Sequence, residues 1–115
     1  MKIFDIDKVN SFKVDNFDSS RFYINRIASV DSKVMINFAN LEPNGIIGRH
    51  KAPVNQILIV ISGEGLVSSE EIPFTSISKN QIVFFNAGEE HETKSITGMT
   101  AIIIESPYLN DDLLI

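Results

Sequence analysis

The stretch Asn44-Gly45-Ile46-Ile47-Gly48-Arg49-His50-Lys51-Ala52-Pro53-Val54-Asn55-Gln56-Ile57-Leu58-Ile59-Val60-Ile61-Ser62-Gly63-Glu64-Gly65 decides how the rest of the chain is read. It carries one of only two histidines, a glutamine, an unbroken apolar run and a glycine-rich end. Asn44-Gly45 follows Glu42-Pro43 and makes a turn, because proline fixes φ and Asn-Gly tolerates positive φ. Ile46 to Ala52 is then a strand, which Pro53-Val54-Asn55 ends. Gln56 opens the returning antiparallel strand, opposite the histidine end of the previous one. Ile57-Leu58-Ile59-Val60-Ile61 has no polar face, so both of its faces are expected to be covered. A sandwich interior on one side and a partner subunit on the other would do this. Ser62-Gly63-Glu64-Gly65 reads as a turn into Leu66-Val67-Ser68.

Working outward, residues 1–20 mix short apolar pairs with Asp, Asn and Ser. They read as a loosely held arm with an edge strand at Phe12-Lys13-Val14. Arg21 to Ile27 is a strand with Phe22 and Ile24 on one face, and Lys33 to Asn40 alternates Val34, Ile36 and Phe38. Downstream, Ile72 to Ile77 is a strand that Pro73 marks as an edge. Ser78-Lys79-Asn80 turns into Gln81-Ile82-Val83-Phe84-Phe85. The second histidine follows in a tight turn, Asn86-Ala87-Gly88-Glu89-Glu90-His91. Thr97-Gly98 is a hairpin turn before Met99 to Glu105, Pro107 ends regular structure, and residues 106–115 form a tail. Short, evenly spaced strands without a sustained helical period predict an all-β sandwich or barrel. The chain, residues 1–115, reads as one domain.

The two histidine-bearing segments resemble the two motifs of the cupin superfamily. The first motif, G-x5-H-x-H-x3,4-E-x6-G, places Asn44 at the opening glycine, His50 at the first histidine and Ala52 at the second. Gln56 falls at the glutamate and Gly63 at the closing glycine. The second, G-x5-P-x-G-x2-H-x3-N, places Asn80, Asn86, Gly88, His91 and Ser95 at its named positions. The spacing is kept while half of the named residues differ. The resemblance covers residues 34–105 and implies a jelly-roll β-barrel of two antiparallel sheets with little or no helix.

In that family the motif residues converge inside the barrel on a divalent metal, so the resemblance implies His50, Gln56 and His91 as ligands. The cation would be Fe, Ni, Mn, Zn or Cu. Ala52 cannot ligate, and the amide of Gln56 attracts a dication less than a carboxylate does. Both histidines of the chain nevertheless fall on ligand positions. The alternative is a pair of hydrogen-bonded imidazoles in a cavity, with Gln56 satisfying a backbone group or a ligand. Apolar walls are expected from Ile47, Leu58 and Phe84. Glu90 and Glu92 alternate away from His91 and read as solvated rim, or one of them orients an imidazole; Arg49 points away from His50 and reads as a surface or interface residue. Glu105 shares a face with Ala101 and Ile103. Facing inward it would be a candidate general base, and at the strand end a surface residue.

Composition removes other classes. The chain has no cysteine, which excludes disulfides and thiol chemistry. A net charge of −5 with scattered cations argues against nucleic acid. No run approaches the ~20 apolar residues of a membrane helix, and no signal peptide is evident at the N-terminus. A cytoplasmic homodimer that takes a small-molecule ligand is expected. Three functions fit: a metal-dependent enzyme with dioxygenase- or isomerase-like chemistry, a metal-free small-molecule-binding module, and an interaction protein with a vestigial cavity.

Overall fold

One strand belongs to both sheets of the molecule, and the architecture follows from it. In the computed structural model, which describes every residue from Met1 to Ile115, the strands are β1 (Lys2–Asp5), β2 (Ser11–Lys13), β3 (Tyr23–Asn25), β4 (Met35–Leu41), β5 (Gly45–Lys51), β6 (Gln56–Ser69), β7 (Thr75–Ser78), β8 (Gln81–Phe85), β9 (Glu90–Ser95) and β10 (Met99–Glu105). Two short 3-10 turns, Ile6–Lys8 and Asn16–Asp18, are the only helical segments. The first half of β6 pairs with β8 and β10, completing a sheet in the order β1-β8-β6-β10-β4. Its second half pairs with β7 and β9, and β9 pairs in turn with β5. All these pairings are antiparallel, so the expected two-sheet jelly roll is present.

The sheets exchange β6 at a bend. The β6–β10 register shifts between Thr100 and Ala101, which leaves Ile61 without a partner. Gly63 follows with φ +80, and a Cβ built on it would stand 2.2 Å from the Gly98 carbonyl oxygen. Ser62–Gly65, expected to be a turn, is therefore a bulged bend inside a continuing strand. Glycine supplies the positive φ and the close approach without reversing the chain. Nor does β6 return beside β5, since the partner of β5 is β9.

Two further residues confirm the backbone pattern that the sequence carried. Asn44 and Asn80 stand where the motifs have glycine, and both adopt positive φ, 66 and 71. Asparagine is among the few side chains that tolerate this region, so the turn survives the replacement.

The apolar run of β6 is covered at Ile57, Leu58 and Val60, while Ile59 is half-buried and Ile61 is 40% exposed. Between the sheets, Leu58, Val60, Val67, Ile77, Val83, Phe85, Met99, Ala101 and Ala52 form one packed cluster. On the outer face Ile57, Ile82 and Phe84 lie under Val9, Leu109 and Leu114. At these residues the second cover comes from the chain's own terminal segments. The N-terminal arm is correspondingly better held than expected, because Lys2–Asp5 pairs with β8 from Lys2↔Phe84 to Asp5↔Gln81. Asn25 Nδ2 also donates to the Val9 carbonyl at 2.8 Å. The edge strand expected at Phe12 is β2, which forms a separate two-stranded sheet with β3.

The bend yields a stability prediction. Gly63→Ala forces a methyl group into backbone and should cost roughly 1–3 kcal/mol. That lowers the melting midpoint by roughly 5–15 °C. Gly48, whose added Cβ meets nothing within 4 Å, should accept alanine with a change within about 0.5 kcal/mol. Equal midpoints for the two variants would contradict the bend's role.

Candidate functional site: a paired-imidazole barrel mouth

His50 and His91 are brought together by the pairing of β5 with β9. Their Cα atoms are directly opposed, and so are those of Ile47 and Thr93. Ile47 and His50 are three residues apart, so strict alternation would send them to opposite faces. The register shift between Ile47 and His50 inserts the extra residue that returns both to the inner face. Gly48 is the one local sign of this shift in the sequence. Outside, Arg49 donates to Ser68 Oγ at 2.7 Å and pairs with Glu90 at 3.6 Å and Glu92 at 3.5 Å. These three charges thus lie on the outer face, as the alternation predicted.

The imidazoles lie 4.5 Å apart between centroids, tilted by 54°. His50 is exposed at the rim, while His91 is only 2% exposed and stacks on Phe85 at 4.0 Å. Each ring is held through Nδ1: that of His50 lies 2.7 Å from the Gly48 carbonyl oxygen, and that of His91 lies 3.1 Å from the Glu89 carbonyl oxygen. A carbonyl oxygen only accepts, so in both rings Nδ1 carries the proton and donates. In the neutral ring Nε2 then keeps its lone pair, which is the tautomer of a metal-ligating or proton-accepting histidine.

Gln56 opens β6 one sheet away, with Glu105 and Phe85 as its cross-strand neighbours. It is 6% exposed. No fully buried side-chain nitrogen or oxygen lacks a hydrogen-bond partner. Glu105 lies on the inner side with Ala101 and Ile103 and is half-buried beside Gln56. Leu58 faces the interior as expected. Phe84 does not: it faces outward beneath Leu109 and Leu114, and Phe85 takes the inner position against His91. Ala52, at the motif's second histidine, is core. Ser95 stands at the motif's final asparagine. It donates to the Glu64 carbonyl at 2.6 Å and accepts from the Gly98 amide at 2.9 Å, fastening the bend.

The space beneath the mouth is filled by apolar side chains. Surface depressions lie elsewhere, one of them lined by Glu64, Leu66, Ser76, Gln81 and Ile96. The expected interior cavity is thus reduced to a polar rim over a packed core.

No protein-family model matches the sequence, and none of the curated proteins does. Solved structures do resemble the fold. An RmlC-like cupin family protein of Methanocaldococcus jannaschii with a double-stranded β-helix fold is 18% identical over 75% of this chain and 76% of that one, with a TM-score of 0.62. A cupin-like protein of Thermotoga maritima is 22% identical, covers 64% of this chain and 57% of that one, and has a TM-score of 0.61. A cupin superfamily protein of Desulfitobacterium hafniense is 9% identical over 70% and 72%, with a TM-score of 0.60. At these identities the likeness is one of fold. The chain has the cupin fold, a double-stranded β-helix.

Burial holds the His91 imidazole below its ordinary range. The Glu89 carbonyl bond opposes this shift, and the neighbouring His50 adds to it. A base whose folded pKa is depressed leaves the unfolded chain binding more protons as pH falls below its ordinary value near 6.5. The associated stability is whole above that value and is lost on acidification towards the folded pKa. Urea denaturation from about pH 8 to about pH 5 should therefore show stability falling in wild type, and less steeply in His91→Gln. Parallel pH profiles would show that His91 contributes nothing to the acid sensitivity.

Proposed function

We propose that the protein binds a late-transition divalent cation at the barrel mouth, through Nε2 of His50 and Nε2 of His91, and offers it to a small polar metabolite. The engagement of both Nδ1 atoms by backbone carbonyls carries this reading, since it orients each ring and commits its other nitrogen. The donor set fits some cations better than others. No group of three or more His, Cys, Asp or Glu side chains is placed to hold a metal. Further donors must therefore be neutral, from Gln56 or water, and imidazole with neutral oxygen suits Ni, Cu or Zn better than Fe or Mn. Such a cation, when bound, supplies Lewis-acid polarisation of a carbonyl or a more acidic water. Dioxygenase- or isomerase-like turnover rests on the same site. Around it, Phe85 fixes the His91 ring, Gln56 offers an amide donor and acceptor to a ligand, and Glu105 stands where a proton could be accepted.

A second reading is favoured by one observation: Ala52 and Gln56 stand where the metal motif has its second histidine and its glutamate. A metal-free module would recognise a hydroxyl or carboxylate through Gln56 and the two imidazoles. Ligand stabilisation untouched by chelator would then be expected.

Thermal melts of chelator-stripped protein titrated with Ni, Cu, Zn, Mn and Fe(II) separate the two. A cation at a hundredfold excess over its Kd adds about 2.7 kcal/mol. That gain should appear with Ni, Cu or Zn and vanish in His50→Ala and in His91→Ala. Absence of any shift with all five metals would leave the metal-free module.

A further inference from the structure

The outer face of the larger sheet is covered over only half of its width. Two apolar rows cross it, Phe38–Ile102–Ile59–Ile82 and Ile36–Ile104–Ile57–Phe84, each a line of directly paired residues. At the β8 end Ile82 and Ile57 are fully buried, beneath Val9, Leu109 and Leu114. At the β4 end Phe38 is 67% exposed and Ile36 64%, with Val34 exposed beside them. The chain's own cover stops partway across an apolar surface that continues to the sheet's edge.

That edge is unguarded. β4, Met35-Ile36-Asn37-Phe38-Ala39-Asn40-Leu41, ends the sheet, contains no charge and no proline, and pairs with β10 without a bulge. Edge strands left in water carry at least one of these devices, because unpaired backbone groups beside apolar side chains recruit another strand. We propose that the strand recruited is β4 of a second copy of this chain, antiparallel about a two-fold axis at Asn37. In that register Ile36 of each copy stands opposite Phe38 of the other. This makes two aromatic–β-branched cross-strand pairs, with Asn37 meeting its own equivalent.

The surface is self-complementary, and no charged side chain of β4 selects an unlike partner. The outward row alone is smaller than a standard interface. Val34, Ile36 and Phe38 leave roughly 300 Å² exposed, against ~800 Å² per partner. The backbone edge and the half-exposed Ile102 and Ile104 of β10 supply further contact.

The test is the mass in solution. Light scattering at about 50 µM, well above a micromolar Kd, should give a dimer for wild type. Phe38→Asp and Ile36→Lys should give monomers with unchanged circular dichroism, while Phe17→Asp, at a residue 94% exposed elsewhere, should remain dimeric. The absence of cysteine allows an independent readout. Directly opposed Cα atoms lie within disulfide reach, so Asn37→Cys should oxidise to a covalent dimer far faster than Phe17→Cys. A monomeric wild type, a dimer that survives Phe38→Asp, or equal oxidation of the two cysteine variants would overturn the proposal.

Discussion

Gly63 lies so close to the Gly98 carbonyl oxygen that a β-carbon there would stand 2.2 Å from it, and at this contact β6 passes from one sheet into the other. Every other feature of the barrel is placed relative to that bend. Upstream of it, β6 sets Gln56 between Glu105 and Phe85 in the larger sheet. Downstream, it sets Ser69 opposite His91 in the smaller one. Ser95 fastens the same region by bridging the Glu64 carbonyl and the Gly98 amide. A polar mouth assembled from two sheets depends on a single strand holding both at a fixed distance.

The mouth itself depends on a second irregularity, the register shift in β5. Under strict alternation from Ile47, His50 would turn to the outer face and Arg49 inward, and His91 would have no imidazole neighbour. With it, two rings of the same tautomer stand together, one buried against Phe85 and one exposed. The charges of the region are kept outside: Arg49 is occupied by Glu90 and Glu92 on the far face. Glu105, half-buried, is the remaining carboxylate at the rim. Chemistry at such a mouth rests on lone pairs and amide hydrogen bonds more than on net charge.

Much of this was legible in the sequence, for physical reasons that also mark where legibility ended. The histidine spacing was readable because turn residues bracket each motif, and Asn44 and Asn80 could stand in for glycine at positive φ. Phe84 and Phe85 could not be told apart, because an apolar run buried on both faces has no alternation to show which side is inside. The Gly63 bend looked like a turn, since positive φ serves either purpose. The pairing of Lys2–Asp5 with β8 joins distant parts of the chain, and no local period announces it. Val34, Ile36 and Phe38 alternate as a buried strand does. Their exposure became visible only when the sheet's own cover was seen to stop short of them.

His50 and His91 are both held as Nδ1–H tautomers by backbone carbonyls, which leaves each Nε2 its lone pair. Long-range ¹H–¹⁵N correlation spectra of the imidazoles, recorded on metal-free protein at about pH 8.5, above the ordinary imidazole range, read this directly. Both rings should show a protonated Nδ1 and a bare Nε2. A proton on Nε2 of either ring would mean that the backbone carbonyls do not hold it as described, and the paired-imidazole site would fall with it.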